Sequence, residues 1–292
     1  MRSNSANGSS SSNELKIHSD LVFHRMQQCT ARLGKSLAPQ NVHHFRTNSR
    51  RVEALVAQLA PESRNKKKLL KLLSKIRKKA GKLRDLDVQI AFLRDSKMPE
   101  RQNHRAQLLA DLHEEHERRS RRLAKSADPA TLQELRKRLH REQVQLNLEG
   151  IDPLRLAVTS LPKLNGVALT EKTLHGFRIG AKHSRYLAEL AGDSPEAKAF
   201  VEELKRAQDA IGEWHDILKL KQRAEEKFGS ASESALVSLL QNISRARFRA
   251  AAQALTSALS TLSHAHPASL PAASVHAKRT GSEHVTSRAA VA

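Results

Sequence analysis

His43-His44-Phe45-Arg46-Thr47-Asn48-Ser49-Arg50-Arg51 returns 132 residues later as His175-Gly176-Phe177-Arg178-Ile179-Gly180-Ala181-Lys182-His183. In both stretches cationic side chains stand at i, i+3, i+7 and i+8: His43, Arg46, Arg50 and Arg51 in the first, His175, Arg178, Lys182 and His183 in the second. On a helix turning every 3.6 residues this spacing gathers the side chains on one face. The parallel continues, because Gly81, Arg84 and Asp85 follow the first copy much as Gly212, His215 and Asp216 follow the second, with 131 residues between the two glycines. Register held to one residue over that distance implies duplication of a whole structural unit.

A chain of 292 residues is long enough for one large domain or two of ordinary size with a proper core. Lys and Arg number 51 against 30 Asp and Glu, a formal net charge of +21, which concentrates polyanions around the molecule and speeds their encounter. Aromatic residues make up only 3% of the chain, so the stacking platforms of single-strand nucleic-acid binders are scarce. The single cysteine, Cys29, excludes an internal disulfide and a sulfur-rich zinc site and points to a reducing cytoplasm. No segment approaches a membrane span, and Met1 to Asn13 has no apolar core of a signal peptide. That stretch is rich in Ser and Asn, and the stretch from about His264 in Ala, Ser, Thr and His. Both are expected to be disordered tails, 1–13 and 263–292.

Between them, Leu, Ile, Val and Ala recur at helical spacing and strand-like alternation is missing, so the fold class is expected to be all-α. The periodicity predicts helices over 14–34, 40–60, 64–95, 100–126, 129–161 with a break near 150–153, 169–192, 195–228 and 232–262. Pro39, Pro99, Pro129 and Pro195 stand where helices should begin. Short loops and one apolar stripe per helix favour two four-helix bundles, 14–128 and 129–262, sharing a groove.

Cations cluster within these helices at a cost of a few tenths of a kcal/mol per like-charged pair. A bound anion removes that cost. Arg offers a planar fork matching two phosphate oxygens, Lys a mobile point charge, and His a donor whose charge grows as pH falls. Phosphate is therefore the natural ligand. The third helix carries so many further cations, from Lys66 to Arg84, that some must simply be solvated.

The paired motifs, His43-His44-Phe45-Arg46 through Arg51 with Leu83-Arg84-Asp85-Leu86-Asp87-Val88, and His175-Gly176-Phe177-Arg178 through Lys182, Arg185 and Tyr186 with Gly212 to Asp216, strongly resemble the CHAD domain, a histidine-bearing α-helical domain. The resemblance covers roughly residues 14–262. It implies two four-helix bundles related by a pseudo-twofold axis, a basic central channel that binds inorganic polyphosphate, and association with polyphosphate granules. Carried over by position, the implied binding residues are His43, Arg46, Arg50, Arg51 and Arg84 in the first half and His175, Arg178, Lys182, Arg185 and His215 in the second. Lys75, Lys79 and Lys82 are further candidates. The copies differ where Glu53 stands in place of Arg185 and Arg84 in place of His215, so the channel is expected to be asymmetric. Asp85 and Asp216 are expected to orient a neighbouring Arg or His, or to form plain surface ion pairs.

Catalysis is not indicated: no phosphate-cradling glycine loop, nucleophile elbow, cofactor motif or metal-ligand spacing emerges. Glu115-x-Glu117-x-Arg119 spells a signature of triphosphate tunnel enzymes, but there a strand aims both carboxylates at a metal. On a helix, residues two apart point about 200° from one another. The expectation is a non-catalytic polyphosphate-binding protein. The alternatives are nonspecific RNA or DNA binding by the same surface, or a scaffold recruiting a polyphosphate enzyme to granules.

Overall fold

Local chemistry starts most of the helices. In the computed structural model, which describes residues 5–96, 103–164 and 167–265, nine α-helices are found and no strand. They are α1 (Ser5–Lys35), α2 (Pro39–Leu59), α3 (Arg64–Asp95), α4 (His104–Ala124), α5 (Pro129–Val144), α6 (Pro153–Thr159), α7 (Glu171–Ala188), α8 (Pro195–Phe228) and α9 (Ala235–Ala265), with a 3-10 turn at Glu189–Ala191 after α7. The side chains of Ser63, Asp128, Asp152, Thr170 and Ser194 each accept a backbone N–H from the first turn of α3, α5, α6, α7 and α8. Proline occupies the first turn of α2, α5, α6 and α8. It lacks an N–H that would have no partner there, and its fixed φ suits the helix.

The all-α class is as the periodicity predicts, and the boundaries shift in identifiable places. Helix α1 begins at Ser5, so residues 5–13, expected as tail, are helical. No proline interrupts Ser5 to Asn13, and a helix already nucleated extends at little cost per residue. The stretch predicted over 129–161 is two helices separated by residues 145–152, because the Asp152 cap and Pro153 start a new one. Residues 1–4, 97–102 and 266–292 lie outside the described residues, and with them the expected start of the fourth helix at 100 and most of the expected C-terminal tail.

The larger core joins α1, α2, α5, α6 and α7 with the N-terminal parts of α3 and α8 and the C-terminal part of α9. A smaller one gathers Leu86, Ile90 and Leu93 of α3, Leu108 and Leu112 of α4, Leu220 of α8 and Val237 and Leu240 of α9. Helices α3 and α8, at 32 and 34 residues, thus run through both. Each pairs with the helix that follows it, α4 and α9, and with the one before it, α2 and α7. Helix α5 lies after Asp128 in sequence yet packs against α1 and α3.

One lysine of the crowded third helix is structural. Lys66 is buried, and its Nζ donates to the carbonyl oxygens of Ala57 at 3.2 Å and Ala60 at 2.8 Å and pairs with Glu62 at 2.8 Å. It closes the C-terminal end of α2, where carbonyls lack intrahelical partners and the helix dipole favours a cation. Lys66→Met should cost about 1–3 kcal/mol of folding stability, read as a lowered urea midpoint at unchanged slope.

Candidate anion-binding site

Helices α2 and α7 lie against each other at the centre of the molecule. Phe45 and Phe177, two residues into each motif, are fully buried and pin the apolar side of each helix, which brings the cationic sides of the two helices within electrostatic range of each other. Behind them α3 and α8 approach closely at glycine. A Cβ built on Gly81 would stand 3.4 Å from Arg46 Nε, and one on Gly212 would stand 3.4 Å from Arg178 Nη2. In both copies the missing side chain gives a guanidinium room to lie against the next helix.

The groove collects charge from both halves. Lys182 of α7 is pressed by Arg178 and Arg185 of its own helix and by Arg46 and Arg50 of α2. Burial, reinforced by these four guanidiniums, drives its ammonium down to about 6. His43 lies beside Arg84 of α3, with His44, Arg46 and Lys182 also in electrostatic range, and burial first and these neighbours second lower its imidazole. His175 is lowered by burial and by His215, Arg178 and Lys219. The His175 and His215 rings stack with centroids 5.0 Å apart, so His215 occupies beside His175 the place that Arg84 occupies beside His43.

Burial lowers Arg50 and Arg178 as well, with like-charged neighbours adding to the effect. Arginine starts so high that both stay charged. Their Nε atoms, and Nδ1 of His215, are buried without a hydrogen-bond partner in the protein. Such donors normally find one. Burial first, and nearby Asp216, raise the Asp85 carboxyl against the opposing pull of Arg46, His215 and Arg178. Asp216 Oδ1 stands 3.6 Å from His215 Nδ1, too far for a hydrogen bond. The two carboxylates therefore sit among the cations as partial counter-charges.

Arg51 and Arg185 already face a carboxylate, Glu189. Arg51 donates from Nε to Glu189 Oε2 at 2.6 Å, and Arg185 Nε lies 3.5 Å from Glu189 Oε1. Their guanidinium carbons stand 5.3 and 5.0 Å from the centre of the Tyr186 ring. This clasp, together with Gln58 on His183 at 3.1 Å, fastens α2 to α7 at one end of the groove. In the first copy Glu53 instead holds Arg77 of α3 at 2.8 Å, which accounts for the exchange of Glu53 for Arg185.

Lys75, Lys79 and Lys82 do not join the central cluster. They line a separate cleft between α3 and α4, because the row Lys71, Lys75, Lys78 and Lys82 lies about 120° around α3 from the row Arg77, Gly81 and Arg84. Sequence reasoning also missed Glu189, Arg77 and Lys219. Only Arg77 carried a signal, as the i−4 and i−7 neighbour of Gly81 and Arg84. Glu115 lies on helix α4 and is gripped by Arg119 at 2.9 Å and by Arg223, whereas Glu117 is exposed. The tunnel-enzyme signature is therefore not arranged as a metal-holding pair. Among the described residues no helix is long and apolar enough to cross a membrane.

A family model described as CHAD domain matches residues 20–225. Among solved structures, the chain is similar to the CHAD domain from the plant Ricinus communis at 19% identity and a TM-score of 0.61, covering 88% of this chain and 92% of that one. It is also similar to PptA from Streptomyces chartreusis at 14% identity and a TM-score of 0.55, covering 86% of this chain and 99% of that one. No curated protein matches.

Proposed function

The chain belongs to the CHAD domain family, and from that premise we propose that it binds inorganic polyphosphate in the groove between α2 and α7 without altering it chemically. The observation that carries this reading is the convergence of Arg46, Arg50, Arg178 and Lys182 from two helices, with buried guanidinium N–H groups that no protein acceptor takes. Four cations held this close repel one another, and a chain of phosphates relieves the repulsion at several points at once. The repeated seat of Arg46 on Gly81 and Arg178 on Gly212 is what an internal duplication would leave, and it gives a linear polymer similar contacts from both sides. The histidines, on this reading, serve as donors to the phosphate oxygens. On this reading the protein accompanies polyphosphate, including polyphosphate stored in granules.

Nucleic acid offers a phosphate backbone too, and counterion release alone does not discriminate between them. The scarcity of exposed aromatic rings favours polyphosphate: Tyr186, beside these cations, is buried and already flanked by Arg51 and Arg185, so it offers bases no stacking platform. In competition at equal phosphate concentration and about 150 mM salt, where exposed charges are screened beyond ~8 Å, long-chain polyphosphate should displace single-stranded RNA. Displacement of polyphosphate by RNA would reverse the assignment.

A further inference from the structure

The cleft between α3 and α4, about 730 Å³ in volume, is lined by charged side chains of one sign only. Helix α3 contributes Lys71, Lys75, Lys78, Lys79 and Lys82. Helix α4 contributes Arg119 and Arg122, and among the described residues no carboxylate lines the cleft. Along α3 the lysines stand at i, i+4 (71 and 75, 75 and 79, 78 and 82), where each like-charged pair is unfavourable. A solvated helix face ordinarily intersperses acids to cancel such pairs, and this one does not.

Part of the wall is fixed in place. Lys79 donates to the hydroxyl of Ser126 and to the Arg122 carbonyl at 3.5 Å. Arg119 is held by Glu115, which Arg223 of α8 grips from the other side. These guanidinium contacts, the Arg223 hydrogen bond first, hold the Glu115 carboxyl down at about 2, so the brace stays charged. The lysine row from 71 to 82 spans about 16 Å along α3 at 1.5 Å per residue. An extended groove of one charge sign, walled by lysine stems and lacking aromatic side chains, suits a flexible polyanion without bases.

We propose that this cleft is a second polyphosphate-binding groove, which takes the length of a long chain that the central cluster leaves outside. The inference rests on the proposed function and adds a dependence on chain length: short chains fill the central site alone, long chains occupy both and gain avidity from the tether.

The test combines two ligands with two variants. Lys75, Lys78 and Lys82 are exposed, so Lys75→Gln/Lys78→Gln/Lys82→Gln should fold as the parent does, checked by circular dichroism and thermal unfolding. By calorimetry at about 150 mM salt, this variant should bind tripolyphosphate as tightly as the parent and long-chain polyphosphate at least about tenfold more weakly. Its dependence of log affinity on log salt should be shallower by about 2, the share of three phosphate contacts. Parental affinity for long chains, or an equal loss with tripolyphosphate, would overturn the second groove while leaving the central site standing. Loss of RNA binding with long-chain polyphosphate affinity intact would overturn it in favour of nucleic acid. If the parent binds neither chain length, the central reading fails and the second groove with it.

Discussion

Arg46→Ala/Arg178→Ala should lower affinity for polyphosphate by about 100-fold or more while leaving the helices in place. Each guanidinium is a charged donor set against a glycine of the neighbouring helix, and a charge-assisted hydrogen bond to an anion is worth about 1.5–3 kcal/mol. Two such losses span roughly two to four orders of magnitude if they add, and the sum is softened where neighbouring cations take over the vacated phosphate. Unlike the α3–α4 variant, this one should lose tripolyphosphate and long-chain polyphosphate alike. The free protein should not suffer: Arg46 and Arg178 weigh on each other and on Lys182, so truncation removes repulsion along with charge. Arg46→Lys/Arg178→Lys separates the two properties of arginine, since it keeps the charge and loses the fork. An intermediate affinity is expected. Calorimetric titration checks both variants, and parental affinity in the alanine variant would remove the groove from the binding site.

The helical class and the one-residue register that sets Arg84 opposite His215 in the two copies were legible in the sequence, because each follows from helical periodicity and a repeated spacing; that Arg84 lies beside His43 and His215 beside His175 was not. The starts at Pro39, Pro129 and Pro195 were legible for the same local reason. What the sequence hid depends on contacts between distant segments. Glu189 is one acid among 30 Asp and Glu until the 3-10 turn after α7 brings it to Arg51. Lys75 and Lys82 share α3 with Arg84, and only the packing of α4 shows that they border a different space. Lys66 looks like its neighbours Lys67 and Lys68, yet it is a buried cap on α2, because the chain turns back at Pro61 and Ser63 and carries its ammonium to the end of that helix.

Lys182 should make binding draw protons from solution. In the free protein its ammonium is held at about 6 by burial and by Arg178, Arg50, Arg46 and Arg185, so at pH 7 roughly nine-tenths of the molecules carry it neutral. A polyphosphate chain brings negative charge to this point, where the groups acting most strongly on Lys182 are all cations, and restores the charged form. Binding then takes up about one proton at pH 7, and affinity rises as pH falls from about 8 toward 6, levelling once the free protein is itself protonated. His43 and His175, both lowered, add a second rise below their ordinary 6.5. Calorimetry in buffers of different ionisation enthalpy reads the uptake directly. Lys182→Met should abolish the component near pH 7, keep the histidine component and weaken binding about tenfold or more. Folding should respond in the opposite direction. The unfolded chain holds this lysine proton up to about 10.4 and the folded one only to about 6, so between those values the unfolded state binds more protons and stability rises with pH. Removing the amine lifts that penalty, and the methionine variant should melt higher than the parent at pH 7 and show a flatter dependence of Tm on pH. A variant that binds more weakly and melts higher is what a buried cation kept for a ligand produces. If Lys182→Met instead lowered Tm and left proton uptake unchanged, the amine would be a structural group and the proton would come from elsewhere.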